Sequence, residues 1–263
     1  MENTAESDRL LLARVEDAAR LCRLKSTPRF VGFLDERQSV IALAAARAAA
    51  GHTGEGCRLF GGYPDAERTL LGFLPDWCAD LASEEAQALF PIAPVTLSWR
   101  ADRASRPLSH RDFLGTLMSL GIKRESVGDI LVGEGKAVLF LLRDILSYVL
   151  SQLEKVGGAR VTAAEGLPAE LPGVHSFLEI SDTVASPRLD AVIASLVRGS
   201  RGRAEELLAA GLVSLDGLPC DKSTRTVAEG VVIKIRGTGK FIIDALRDRT
   251  KKGRLMLRAR KYL

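Results

Sequence analysis

The stretch Ser186–Phe241, SPRLDAVIASLVRGSRGRAEELLAAGLVSLDGLPCDKSTRTVAEGVVIKIRGTGKF, reads as a complete small module of two helices followed by short strands. From Arg188 to Arg198 the apolar residues Leu189, Val192, Ile193, Leu196 and Val197 fall at the spacing of a half-buried helix. Gly199 is expected to end it. Ser200 is expected to cap a second helix that buries Ala204, Leu207 and Leu208, with Gly211 as its left-handed stop. Val213–Leu215 alternates like a strand, Asp216-Gly217 is a hairpin signal, and Val231–Ile235 alternates again before the basic segment Arg236–Lys240. Arg201 and Arg203 stand in the first turn of the second helix, where the helix dipole makes each cation cost about 0.3–1 kcal/mol. Two guanidinium groups beside exposed N-terminal amides form a site for phosphate oxygens, so this departure from local stability points to function.

Charge along the chain agrees. The 263 residues carry a formal net charge of +4, yet residues 187–263 hold 17 Lys and Arg against 8 Asp and Glu. The remaining 20 basic and 25 acidic residues leave the first 186 positions net acidic. A basic third joined to an acidic remainder suggests a nucleic-acid-binding end attached to something else. A hydrophobic content of 46% is that of a soluble globular protein, with one to three domains expected. No run of eighteen apolar residues predicts a membrane span, and the polar, acidic MENTAESDRL argues against a signal peptide. Cys22, Cys57, Cys78 and Cys220 form no CxxC pair, and with only three histidines there is no zinc pattern, so buried thiols in a reducing cytoplasm are expected and no metal or cofactor is.

Upstream, residues 3–24 and Asp35–Ala50 carry helical stripes, with Asp35 as N-cap and Gly51 as stop, and Arg58–Tyr63 and Thr69–Leu74 read as strands around a Pro64-Asp65 turn. Between residues 92 and 166 the pattern predicts a strand at Ala93–Trp99, a helix at Ser109–Leu120, strands at Val127–Val132 and Lys136–Leu141, a helix at Arg143–Val156 and a strand at Arg160–Ala164. That β-α-β-β-α-β order is ferredoxin-like and is shared by RNA-recognition-motif domains, but these strands lack the aromatic-rich sequence that stacks bases. Trp99 and Phe140 are weak substitutes that suit a core better. Residues 167–187, with three prolines, read as a linker or an edge-strand crossing. One more strand, alternating Leu255, Leu257 and Ala259 with Met256, Arg258 and Arg260, follows the basic turn Lys251-Lys252-Gly253-Arg254. The fold class is therefore α+β in three parts: a helical unit with a hairpin (1–80), a ferredoxin-like domain (90–168) and the C-terminal module (186–263).

The C-terminal signature is RLD before the first helix, S-R-x-x-A-x-x-L in the second, then G-x-V, D-G and V-x-x-G-x-x-I-x-I-R-G-x-G in order. It resembles the RNA-binding domain named after small-subunit ribosomal protein S-four. FGGYPDAER (60–68), SHRDFLGTLMSLGIKRESVGDILV (109–132) and TKKGRLMLRARKYL (250–263) extend the likeness across the chain, which resembles the YlmH-like family of bacterial RNA-binding proteins. One departure is Asp216, where asparagine is commoner; both suit the hairpin. The resemblance implies a cytoplasmic, monomeric, ribosome-associated protein that binds the large subunit and tRNA in rescue of stalled nascent chains.

Arg188, Arg201 and Arg203 are expected to form the core of an RNA-backbone site opened by Ser200. Asp190 either orients one guanidinium by a bidentate pair or complements the helix N-terminus. Lys222, Arg225, Lys234, Arg236 and Lys240 would extend the positive surface along the strands, and Lys251, Lys252 and Arg254 form either a second patch or a solvated turn. His110, Arg111, Asp112, Arg124, Glu125 and Asp129 could assemble for proton transfer, yet Ser109 to Asp112 is explained as a helix start, so no catalytic residue is assigned. The competing reading is an RNA-modifying enzyme, such as a pseudouridine synthase, that uses the module as a targeting arm. The module normally precedes the catalytic domain in those enzymes, and its C-terminal position here favours a binding role.

Overall fold

The structure, a computed structural model, describes residues 2–49, 56–64, 66–100, 106–173, 177–249 and 253–262. It is a mixed α+β fold in two compact units, residues 1–174 and 175–263. The helix stop expected at Gly51, the turn residue Asp65 and the basic turn residues Lys251 and Lys252 lie outside the described residues.

The first unit opens with helix α1 (Glu2–Lys25), strand β1 (Arg29–Leu34), helix α2 (Glu36–Ala49) and strands β2 (Cys57–Phe60) and β3 (Thr69–Phe73). Asp35 starts α2 as expected: its carboxylate accepts the Gln38 amide at 2.8 Å, and the Gln38 side chain accepts the Asp35 amide at 3.0 Å. The sheet is antiparallel in the order β1-β3-β2. Strand β1 was not foreseen, because RFVGFL has only one polar position with which to alternate. Leu11, Val15, Ala19 and Cys22 of α1 and Ala42 and Ala46 of α2 pack on one face, against Val31, Leu71 and Phe73.

A short helix α3 (Ser83–Ala88) leads to β4 (Ile92–Ser98), α4 (His110–Ser119), β5 (Val127–Val132), β6 (Lys136–Leu142), α5 (Leu146–Gln152), a small hairpin of β7 (Lys155–Val156) and β8 (Ala159–Arg160), and β9 (Thr162–Glu165). The helix expected over 143–156 is shorter, since Gly157 and Gly158 let the chain turn back into the hairpin. The antiparallel sheet runs β5-β6-β4-β9. Alternation along β6 sends Ala137, Leu139 and Leu141 to α4 and α5, where Phe113, Leu117, Leu146 and Val149 meet them. Val138 and Phe140 go the other way and meet Phe33 and Leu70 of the first sheet and Tyr63 from the connection between β2 and β3. The two sheets therefore pack face to face between two helical layers. Phe140 is fully buried and its ring stacks on Tyr63 at 4.8 Å, whereas Trp99 lies against Phe113 at 5.5 Å. Phe140 thus offers no base-stacking surface, and Trp99 is half-buried against the core of its own sheet. Glycines permit the close approach: a Cβ on Gly128 would lie 2.6 Å from the Phe33 ring, and one on Gly62 2.5 Å from Phe140.

The second unit begins with β10 (Phe177–Val184), then α6 (Leu189–Leu196), α7 (Arg201–Ala209), β11 (Val213–Leu215), β12 (Leu218–Pro219), β13 (Val232–Ile235), β14 (Gly239–Arg249) and β15 (Leu255–Tyr262). The last part of the proline-containing crossing is thus an edge strand, paired with β15 over eight residues. The order is β10-β15-β14-β13-β11-β12. Asp216 and Gly217 both take positive φ, 47° and 74°, as the tight β11–β12 hairpin requires. Helices α6 and α7 cover one face through Leu189, Ile193, Leu196, Leu207 and Leu208, which meet Ile233, Ile235, Phe241, Ile243, Leu257 and Ala259. Among the described residues no helix is long and apolar enough to cross a membrane.

Candidate nucleic-acid interface

The turn between α6 and α7 builds a cationic concavity in the second unit. The Gly199 amide donates to the Ala194 carbonyl at 2.8 Å and the Arg198 amide to Ser195 at 3.1 Å, which closes α6 in a Schellman arrangement. The left-handed position falls on Arg198, with φ of 51°, so the expected stop at Gly199 moves back by one residue. A side chain held there costs about 1 kcal/mol relative to glycine. Ser200 then caps α7 by accepting the Arg203 amide at 3.1 Å. Arg198 and Arg201 line a cavity of 520 Å³ together with Arg254, Asp182 and Ser195. Arg254 is oriented by bonds from its Nε to the Thr183 hydroxyl at 3.0 Å and from Nη2 to the Thr183 carbonyl. The Asp182 carboxylate is occupied by the Ser195 hydroxyl and the Thr183 amide, which hold its pKa below the usual range. Three guanidinium-bearing residues thus face one carboxylate beside the N-terminus of α7.

The other expected residues divide between places. Arg188 stands just before α6 and grips Asp190 in a bidentate pair, Nε at 3.1 Å and Nη2 at 2.8 Å. Asp190 is 2% exposed and also accepts the Ala191 amide. Its pKa is lowered, first by the Arg188 bond, and that of Arg188 is raised by the same bond. Asp190 therefore orients the Arg188 guanidinium, the first of the two roles the sequence allows it, and its burial leaves any outward contact to that arginine. Lys222 and Arg225 are exposed beside this helix start, because the Leu189 amide donates to the Arg225 carbonyl and Arg188 bridges Thr226. Arg203 pairs with Glu206 at 2.8 Å, both side chains largely exposed; such a pair is worth at most about 1 kcal/mol.

Lys234 and Lys240 sit directly opposite each other in the β13–β14 register, on the sheet face away from α6 and α7. Ile233, Ile235 and Phe241 take the core face, and the period of two sends the lysines outward. The positive surface is therefore not continuous from Arg201 along the strands, as the sequence implied, but split over two faces. Arg236 is exposed in the turn that joins those strands. The open face also carries residues that sequence reasoning missed: Arg260 lies over the Phe177 ring at 4.7 Å, Lys240 over Tyr262 at 4.8 Å, and Arg258 is exposed beside them. The alternation of 255–262 held the signal for Arg258 and Arg260; the pairing with Phe177 held the rest. Arg198 was missed because a left-handed arginine has no signature in sequence.

In the first unit the six residues weighed for proton transfer do not assemble. Asp112 accepts the Ser109 amide and hydroxyl at 2.8 and 2.7 Å and pairs with Arg106, which together hold its carboxyl far below the usual range. Glu125 pairs with Arg14 at 2.7 Å. Asp129 is buried and accepts the Tyr63 hydroxyl at 2.8 Å and the Glu67 and Arg68 amides at 2.7 and 3.1 Å. Burial pushes its pKa up, and the three donors partly oppose this. None of these carboxylates bonds His110 among the described residues, and burial and the nearby Arg124 push the imidazole pKa down. The GGYPDAER segment is thus pinned to the middle sheet by a structural carboxylate. Among the described residues no group of three or more His, Cys, Asp or Glu is placed to hold a metal ion.

Comparison with known proteins meets this geometry. Residues 102–167 match the family model described as "Putative RNA-binding domain in YlmH". The curated "Ribosome-associated protein quality control protein P2" of Bacillus subtilis (strain 168) is 30% identical over 248 residues, 94% of this chain and 92% of the relative. The chain belongs to the YlmH-like family. A solved structure titled "Cell division protein ylmH from Streptococcus pneumoniae" is 22% identical, with a TM-score of 0.48, over 61% of this YlmH-like chain and 92% of that one. The family-model match falls on the middle sheet and its helices, upstream of the arginine-lined cavity, so both units of this YlmH-like chain enter the functional question.

Proposed function

We propose that this YlmH-like chain is a non-catalytic RNA-binding protein that works on the ribosome, in quality control of stalled nascent chains. It would contact ribosomal RNA of the large subunit and tRNA, and act as a cytoplasmic monomer. In this reading residues 186–263 are an RNA-binding module of the S-four type with β15 as its basic C-terminal strand, β10 adds an edge strand to it, and residues 90–168 are a ferredoxin-like domain. The observation that carries it is the gathering of Arg198, Arg201 and Arg254 around one cavity at the N-terminus of α7, where backbone amides and guanidinium groups together favour phosphate. The relative's name supplies the ribosomal setting, and the match at 102–167 supports RNA as the ligand. The engaged carboxylates of the first unit favour binding over bond-making.

Co-sedimentation with purified large subunits tests the reading. Arg201→Ala should weaken binding at least tenfold, as loss of a charge-assisted bond of about 1.5–3 kcal/mol requires, and leave the melting temperature unchanged. The slope of log affinity against log salt should fall by about 0.7–0.9. Equal sedimentation of variant and wild type removes Arg201 from the site. Protein-dependent base modification on incubation with ribosomal RNA would replace the binding role with the enzymatic one.

A further inference from the structure

In RNA-recognition-motif domains the open sheet face reads the RNA. Here the first sheet covers that face, and Phe140 and Tyr63 stack inside it. RNA bound to this unit must use another surface, and a groove supplies one. Two adjoining cavities, of 620 and 320 Å³, share Arg14, Gly32 and Glu125. The smaller is lined by Arg68 and Arg124, the larger by Lys123, Asp144 and Tyr148.

The two arginines are unusual. Arg68 donates from Nε to the Val127 carbonyl at 3.1 Å and from Nη2 to the carbonyls of Phe33 at 2.6 Å and Arg124 at 3.4 Å. Arg124 donates from Nη1 to the carbonyls of Val127 and Gly128. Backbone oxygens fix both guanidinium groups, yet neither has a carboxylate partner among the described residues. Nη1 of Arg68 and Nε and Nη2 of Arg124 make no hydrogen bond there either. Burial, then the neighbouring Arg124, lowers the Arg68 pKa to about 10, so Asp35 and Asp129 nearby compensate the charge incompletely. The other acids of the groove are Glu125, neutralised by Arg14, and the exposed Asp144; Asp35 accepts the Gln38 amide. Lys123 is exposed, and the Tyr148 ring is 46% exposed with its hydroxyl anchored on the Leu120 carbonyl at 3.1 Å. Fixed cations with spare donors, followed by an anchored and accessible ring, match the needs of a single strand, in which phosphates seek charge and bases seek a flat face.

We propose that this groove is a second RNA-contact surface, in which Arg68 and Arg124 seat a backbone phosphate of a single strand while Lys123 and Tyr148 receive the next phosphate and base. This rests on the RNA-binding reading of the chain and adds a site separate from the arginine-lined cavity of the second unit.

The test uses the full chain and a labelled single-stranded RNA of about twelve nucleotides, within the usual footprint of such grooves. Tyr148→Ala and Lys123→Ala alter exposed side chains and keep the fold. Tyr148→Ala should lose about five- to hundredfold in affinity, and Lys123→Ala should reduce the salt slope by about 0.7. Ultraviolet crosslinks should map to the peptide holding Tyr148 and should persist in Arg201→Ala. Arg124→Gln should lose affinity as well; where its melting temperature falls sharply, the two surface variants decide. Binding that is abolished by Arg201→Ala but unchanged in affinity and slope by both surface variants overturns the groove and leaves the RNA-binding reading intact. No RNA binding by the wild type overturns both.

Discussion

Replacement of Asp129 by alanine tests how the 60–68 segment is tied to the middle sheet. The carboxylate receives three donors: the buried Tyr63 hydroxyl at 2.8 Å and the Glu67 and Arg68 amides at 2.7 and 3.1 Å. Loss of the acceptor removes the bond of the buried hydroxyl to Asp129, at about 1–3 kcal/mol, and weakens two amides that water reaches in part, at about 0.5–1.5 kcal/mol each. Against this, folding no longer desolvates a carboxylate whose pKa burial raises. The net expectation for Asp129→Ala is a loss of about 2–4 kcal/mol, and for Tyr63→Phe about 1–2 kcal/mol. The double variant should cost less than the sum, with a coupling of about 1–2 kcal/mol. Urea unfolding followed by tryptophan fluorescence is the right assay, because both tryptophans, Trp77 and Trp99, lie in the first unit. A loss below about 1 kcal/mol for Asp129→Ala, or simple additivity with Tyr63→Phe, would refute the pinning role.

Gly62→Ala should destabilise the same unit by about 2–4 kcal/mol, since φ is +101° and the added carbon would meet the Phe140 ring at 2.5 Å; an unchanged urea midpoint rules out that close approach. In the second unit, Arg188 depresses the Asp190 carboxyl below its ordinary 3.8. The stabilisation is complete above that value and is lost as pH falls through the lower folded value. Asp190→Asn should therefore weaken the second unit at neutral pH and abolish this acid-dependent loss, read by amide-exchange mass spectrometry of the α6 peptide across a urea series. Wild-type and variant curves that run parallel from pH 6 to below about 3 would show that the pair contributes nothing.

Much of the second unit was legible from local chemistry. The stripe of Leu189, Val192, Ile193 and Leu196, the Ser200 cap and the Asp216-Gly217 turn each act within a few residues, so sequence alone determined α6, α7 and the hairpin. The basic third and the arginines of the α7 start were visible for the same reason. Strand β1 and the shortened α5 were not, because RFVGFL and the stretch to Val156 lack a decisive period. The position of Arg198 was decided by a backbone angle that only the packed turn reveals.

Sequence also showed which residues are basic, but not which of them share a surface. Lys234 and Arg201 look like neighbours in one positive run, and the pleat puts Lys234 on the sheet face away from the helices. Phe177 meets Tyr262 only because β10 returns to pair with β15. In the first unit, Arg68 and Arg124 are 56 residues apart in the chain, and they meet because Tyr63, Asp129 and the face-to-face sheets bring their segments together. Short-range hydrogen bonding and periodicity are written into consecutive residues. Charge clustering depends on burial and strand register, which long-range packing alone sets.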